Sequence, residues 1–218
     1  MRILLTNHFP LSSSPSGVLV ESLGRWLVKA GHQVRMLVLR SRDDPPEPEV
    51  RSVICDPADA HAALPMPLPT FDGSISGMRF RDLTDEQLLT YRDVLREAID
   101  REIDAFDPHI LHAQHVWIQG HLALEAGVPY VLTAWGEEFE TMAADDRWDR
   151  YARQAAENAG RIFVPNERLQ STVQAAFGDL EERVQVCDCT VPVSSACGEQ
   201  LVTAYRAVVV ERFGSEPE

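Results

Sequence analysis

Thirteen residues carry side chains or a backbone suited to ligand chemistry, and they recur just after apolar runs. Asn7, His8, Ser16 and Gly17 follow the first run, and His112, His115 and Trp117 follow or close a later one. Trp135, Gly136, Glu137 and Glu138 follow the next, and Asn166 and Glu167 the one after that. Carboxylates beside a glycine, as at Gly136–Glu138, accept hydroxyl hydrogens; an imidazole transfers protons near neutral pH. Glu138 and His115 are therefore the candidate reacting groups. His8, Ser16, Gly17, Trp117, Trp135, Gly136, Glu137, Asn166 and Glu167 are candidate binding residues. Indole rings at 117 and 135 would offer stacking faces to a ring-shaped ligand, or pack in the core. A solvated acidic loop is the competing reading of Glu137–Glu138. His112 precedes Ala113 inside an apolar run and reads as a hydrogen-bonded core histidine.

Other chemistries lack their patterns. G-x-G-x-x-G, the phosphate-binding G-x-x-x-x-G-K-[ST] and the G-x-S-x-G elbow are all absent, which disfavours dinucleotide, NTP-hydrolysing and serine-hydrolase sites. Cys187 and Cys189 form one C-x-C with Cys197 nearby, short of the paired spacing zinc requires. His112 and His115 on an extended chain point to opposite sides, which argues against a shared metal. No metal site is expected.

The elements that position these residues follow from periodicity. Arg2–Asn7 predicts a buried strand, His8–Gly17 a connecting loop, Val18–Ala30 a helix capped by Gly31, and Gln33–Leu39 a second strand. This βαβ unit commits the chain to a parallel sheet, with ligands expected beyond the carboxyl ends of its strands. The Ser-rich loop would present a helix N-terminus to an anion. Asp43–Glu49 reads as an acidic turn and Val50–Cys55 as a strand. Residues 56–82 carry four prolines and no period, which reads as a binding loop or a disordered insertion. Thr84–Gln87 has the capping-box pattern, opening a helix to Phe106.

Further strands are predicted at Ile110–Ala113, Tyr130–Thr133, Arg161–Val164 and Val184–Cys187. Helices are predicted up to Ala126, over Asp145–Asn158 and Asn166–Phe177, and from about Cys197 to Phe213. Ala134–Glu140 reads as a loop, and the tail from Gly214 as frayed. The fold class is α/β: one doubly wound, Rossmann-like domain with a parallel sheet of about seven strands, spanning 1–191. A linker and C-terminal helix, 192–218, pack back on it.

Composition bounds the partners. The 218 residues are 44% hydrophobic and 25% charged, with a formal net charge of -14. That charge argues against nucleic acid or an anionic membrane as partner. No apolar run approaches the roughly 20 residues needed to span a bilayer, so a cytoplasmic setting is expected.

The order of these motifs resembles the N-terminal domain of family-four glycosyltransferases. The resemblance rests on Thr6–Pro10 with the Ser16-Gly17-Val18 loop, Leu23–Val34 (LGRWLVKAGHQV), Phe106–His115 (FDPHILHAQH), Gly127–Thr133 (GVPYVLT) and Ala159–Asn166 (AGRIFVPN). It covers about Met1–Val191. It implies a GT-B enzyme of two facing Rossmann-like domains, the N-terminal one holding the acceptor. A nucleotide-sugar would be the donor, and transfer would be retaining and usually metal-free, with no other cofactor.

Two positions depart from the family. Its His-Gly-x-Asp loop corresponds here to Trp135, Gly136, Glu137 and Glu138. Its Pro-Asn-Gly-Val-Asp hinge corresponds to Asp188–Pro192. After Val191 the donor domain's paired glutamates do not occur, while Glu199–Phe213 resembles the family's final helix. The sequence thus reads as a GT-B protein without its donor half, natural or engineered. The expected partners are a sugar or glycosylated acceptor, and a donor-domain chain or a second copy. A non-catalytic binding or subunit-interaction module is the alternative.

Overall fold

Hydrophobic alternation builds the sheet. In β1 (Arg2–Asn7), Ile3 and Leu5 enter one core and Leu4 the other, all fully buried, because successive strand residues point to opposite faces. The computed structural model describes residues 1–12, 14–44, 50–178, 180, 182–188 and 190–215. Ser13 of the first loop, residues 45–49 of the acidic turn, Cys189 and the last residues of the tail, 216–218, lie outside the described residues.

The remaining strands are β2 (Gln33–Ser41), β3 (Val50–Cys55), β4 (Ile110–Gln114), β5 (Tyr130–Thr133), β6 (Ile162–Val164) and β7 (Val184–Val186). They form one seven-stranded sheet in the order β3-β2-β1-β4-β5-β6-β7. Every pairing is parallel. This is the doubly wound, Rossmann-like arrangement. Its order reverses between β1 and β4, where Thr6 pairs with Ala113, and ligand crevices form at such a reversal.

Helices α1 (Pro15–Lys29) and α7 (Ser195–Phe213) cover one face. Helices α2 (Asp85–Phe106), α3 (Gln119–Ala126), α5 (Asp149–Asn158) and α6 (Glu167–Phe177) cover the other. The short α4 (Glu137–Ala144) follows β5. Helices α1 and α7 meet closely: a Cβ on Gly198 would lie 2.4 Å from the Trp26 ring. The capping box holds α2, with Thr84 and Gln87 bonding reciprocally.

Several boundaries differ from expectation. Helix α1 begins at Pro15, because Ser14 caps it and proline fits the first turn. Ser16 and Gly17 are therefore helical. Glu137–Glu140 belong to α4 rather than to a loop, and α5 begins at Asp149. Strand β2 runs on to Ser41, while β4 gains Gln114 and β7 ends at Val186. Residues 56–82 are packed against the domain, which sets aside the disordered-insertion reading. They make a strap over the carboxyl ends of the strands, with Leu64, Met66, Leu68, Phe71 and Phe80 buried in the core. Apolar side chains at irregular spacing anchor this strap, so no period betrays it.

Candidate functional site

The strand-end edge divides into a buried layer and an open cleft. The buried layer takes most of the sequence candidates. His8 is fully buried; its Nδ1 lies 2.7 Å from the Tyr91 hydroxyl and its Nε2 3.2 Å from the Trp117 carbonyl. A carbonyl only accepts, so Nε2 carries the proton and Nδ1 accepts from Tyr91. Burial pushes the His8 pKa down to about 3. His8 is thus a neutral tie between strap-side helix and strand end, not an open ligand contact.

His112 is the core histidine of the sequence reading. Its ring bridges the Tyr205 hydroxyl at 2.6 Å and Thr133 Oγ1 at 2.7 Å, and burial lowers its pKa to about 3. His115 lies just beyond β4 with φ 69, and its N–H donates to the Thr133 carbonyl. The residue is 1% exposed, and its Nδ1 has no hydrogen-bond partner among the described residues. Burial and the neighbouring His8 hold its pKa well below the usual value.

Trp117 is wholly buried, edge-on to Trp148 with centroids 3.9 Å apart, and presents no stacking face. Trp135 is half-buried; its Nε1 donates to Gln114 Oε1 at 3.0 Å. Glu138 is fully buried, and its carboxylate accepts the N–H groups of Trp135 and Gly136 at 3.1 and 2.8 Å. Desolvation raises its pKa to about 7 against these hydrogen bonds. The carboxylate staples its own loop. Gly136 has φ 108, a conformation that glycine alone adopts cheaply.

The first helix offers no vacant anion cradle at Gly17. Its N–H donates to Ser14 Oγ at 2.9 Å, and a Cβ there would stand 2.1 Å from the Pro10 carbonyl oxygen. The glycine is needed for close approach of its own loop. Ser16 is 3% exposed and within 3.3 Å of Ser14 Oγ. Asn166 caps α6 by accepting the Leu169 N–H, and Asn166 and Glu167 are exposed at that corner. Among the described residues no group of acidic, histidine and cysteine side chains is arranged to hold a metal. Cys187 and Cys197 are buried with sulfurs 3.0 Å apart.

The open cleft, of about 370 Å³, runs between the strap and α4. Phe71, Asp72, Arg79 and Arg81 line it from the strap; Glu137, Glu140 and Thr141 line it from the helix. Of the sequence candidates only Glu137 is on this wall. Desolvation, with Asp72 and Glu140 alongside, raises the Glu137 pKa. The Asp72 carboxyl is held low by hydrogen bonds from Ser74 and Thr70. Arg79 forks onto Asp82 at 2.6 and 3.0 Å. Carboxylates facing guanidinium groups across a polar cleft suit a hydroxyl-rich ligand, which both accepts and donates. The residues missed in the sequence all sit on the strap or on α4, at Glu140 and Thr141. Their one signal is the length of the aperiodic stretch.

A profile of the glycosyl transferase 4-like domain matches residues 16–188. Among solved structures, sucrose-phosphate synthase from Thermosynechococcus elongatus aligns with TM-score 0.61 at 13% identity, covering 86% of this chain and 47% of that one. A shorter chain of the same enzyme aligns at 0.59 and 15% identity, covering 95% of this chain and 98% of that one. UDP-GlcNAc 2-epimerase from Neisseria meningitidis, bound to UDP-GlcNAc, aligns at 0.51 and 12% identity over 86% of this chain and 46% of that one. The chain thus spans about half the length of the longer structures. At these identities the likeness is one of fold, a Rossmann-like half of the GT-B arrangement. No curated protein matches the chain.

Proposed function

The chain belongs to the glycosyl transferase 4-like domain family, and from that premise we propose that it is the acceptor-side domain of a retaining GT-B glycosyltransferase. It holds a sugar or glycosylated acceptor in the cleft between strap and α4. It transfers from a nucleotide-sugar only with a donor-binding domain supplied elsewhere, and needs no cofactor of its own.

The observation that carries this reading is the cleft's position and chemistry. It opens at the strand-end edge, with the carboxylates of Glu137 and Glu140 on α4 opposed to Asp72, Arg79 and Arg81 on the strap. Donor chemistry asks for more. A departing nucleoside diphosphate needs preorganised positive charge or backbone donors, and the Gly17 N–H is already taken by Ser14.

A non-catalytic binding module, coupled to a partner chain or a second copy through the strand-end edge, is the second reading. It is favoured by the loop after β5, where Glu138 is consumed by backbone N–H groups and Trp135 by Gln114. No helix among the described residues is long and apolar enough to cross a membrane. A cytoplasmic setting accords with that and remains part of the proposal.

Calorimetry of the chain with methyl α-glucoside, UDP-glucose and UDP-GlcNAc, alongside a donor-hydrolysis assay, tests the reading. Glycoside binding without donor turnover is the expected result. Donor turnover by this chain alone overturns the requirement for a second domain. Glycoside binding that survives Glu137→Ala and Arg81→Ala unchanged removes the cleft.

A further inference from the structure

We propose that Phe71 is a displaceable plug over a second, enclosed subsite centred on His115, and that this subsite takes a neutral pyranose ring continuous with the ligand in the cleft. The proposal rests on the acceptor reading above and adds where the inner sugar goes.

Phe71 is the partition between the two layers. One side of it lines the open cleft, yet the residue is only 6% exposed. Its ring packs 4.8 Å from the His115 ring, 5.0 Å from Phe80, 5.8 Å from Phe9 and 6.1 Å from Trp117, centroid to centroid. Behind it, His115 Nδ1 is buried with no partner among the described residues. A buried polar atom left unpaired costs free energy, and native structures seldom tolerate one without a function or a bound group. Here the unpaired imidazole is in ring contact with Phe71, and Phe71 itself lines a cleft suited to hydroxyls.

The chemistry selects the ligand. His115 is uncharged, and its ring neighbours are His8, Phe9, Phe71 and Trp135. An anion would find no countercharge among them. A hydroxyl can donate to a neutral imidazole nitrogen or accept from it, while the C–H faces of a sugar stack on aromatic walls. A phenyl ring and a pyranose are both six-membered and of similar breadth, so withdrawal of Phe71 clears a space of the right size.

The segment that carries Phe71 is suited to such a movement. It is tied across its neck by Thr70 N to the Met78 carbonyl and Phe80 N to the Thr70 carbonyl, both at 3.0 Å. Phe71 lies in the turn beyond that neck, in no regular element.

The test is histidine modification by diethyl pyrocarbonate on the intact chain, read site by site by peptide mass spectrometry. His112 is equally buried on the opposite face and serves as internal control. In Phe71→Ala, His115 should be modified about tenfold faster than in the wild type while His112 stays unchanged, as expected for a local opening. Methyl α-glucoside should then slow His115 selectively. Phe71→Leu, which keeps an apolar filler, should give a smaller rise in the same direction. If His115 and His112 accelerate together in both variants, or His115 does not accelerate in either, Phe71 is ordinary core and the plug is overturned. Exposure of His115 without glycoside protection overturns the pyranose assignment. The two readings fail separately. Glycoside binding in the wild type with His115 indifferent to Phe71 removes the plug alone; an exposed His115 with no glycoside binding anywhere removes the acceptor reading.

Discussion

Replacing Glu138 by glutamine should change how stability depends on pH more than it changes stability at any one pH. The carboxyl is fully buried at the start of α4, and desolvation lifts its pKa from 4.5 to about 7. A group whose pKa is raised by folding stabilises the fold below its unfolded pKa, and that contribution is lost as pH rises through the folded value. For Glu138 the loss falls between about pH 4.5 and 7 and amounts to about 3 kcal/mol. Glutamine has no proton to lose across that range. Its NH2 cannot accept a hydrogen bond, so either the Trp135 or the Gly136 N–H loses its partner, at a pH-independent cost of about 1–3 kcal/mol. The variant should therefore be less stable than the wild type at pH 5, and the gap should close or invert by pH 8. Urea unfolding of both proteins at half-unit steps from pH 5 to 8 measures this. The titrations of His8 and His112 occur in both proteins and drop out of the difference. A wild-type minus variant difference that is flat across the range would refute the reasoning: the backbone donors would then be holding the carboxylate ionised throughout.

Other outcomes follow from the same contacts. Tyr205→Phe strips His112 Nδ1 of its 2.6 Å partner and should cost about 1–3 kcal/mol in chemical denaturation. His8 and His112, with pKa values lowered to about 3, stabilise the fold above pH 6.5; that contribution, up to about 4–5 kcal/mol for each, is lost as pH falls from 6.5 toward 3, so circular dichroism should show an early acid transition. Gly17→Ala should destabilise by about 2–3 kcal/mol through overpacking, because the new Cβ meets the Pro10 carbonyl and not a side chain that can turn aside. Thr84→Ala should lower stability by about 1 kcal/mol through loss of the capping box, with no effect on ligand binding.

Periodicity in the sequence was enough for the sheet and for its helices other than the short α4. The alternation in Ile3–Leu5, the repeat from Leu88 through Leu95 to Ile99, and the glycines that close helices at 31, 127 and 178 are local signals. Each acts within a few residues, where the physics of one strand or one helix turn is complete. They also fixed which edge of the sheet carries the connections that follow its strands, since every pairing is parallel. The motif order at Phe106–His115 and Ala159–Asn166 pointed to the family that the profile match then showed.

What the chain's order could not convey was depth. His8, His115, Trp117 and Glu138 all stand at strand ends, and whether they meet solvent depends on what lies over them. The cover is the strap, whose anchors Leu64, Leu68, Phe71 and Phe80 follow no period because an irregular segment is shaped by the surface beneath it. The strap buries the histidines, brings Arg79 and Arg81 opposite Glu137, and sets Phe71 between cleft and imidazole. Composition and local pattern thus determined the scaffold and the edge where ligands belong. Which side chains reach a ligand was decided only by long-range packing, because burial is a property of the neighbours that distant parts of the chain supply.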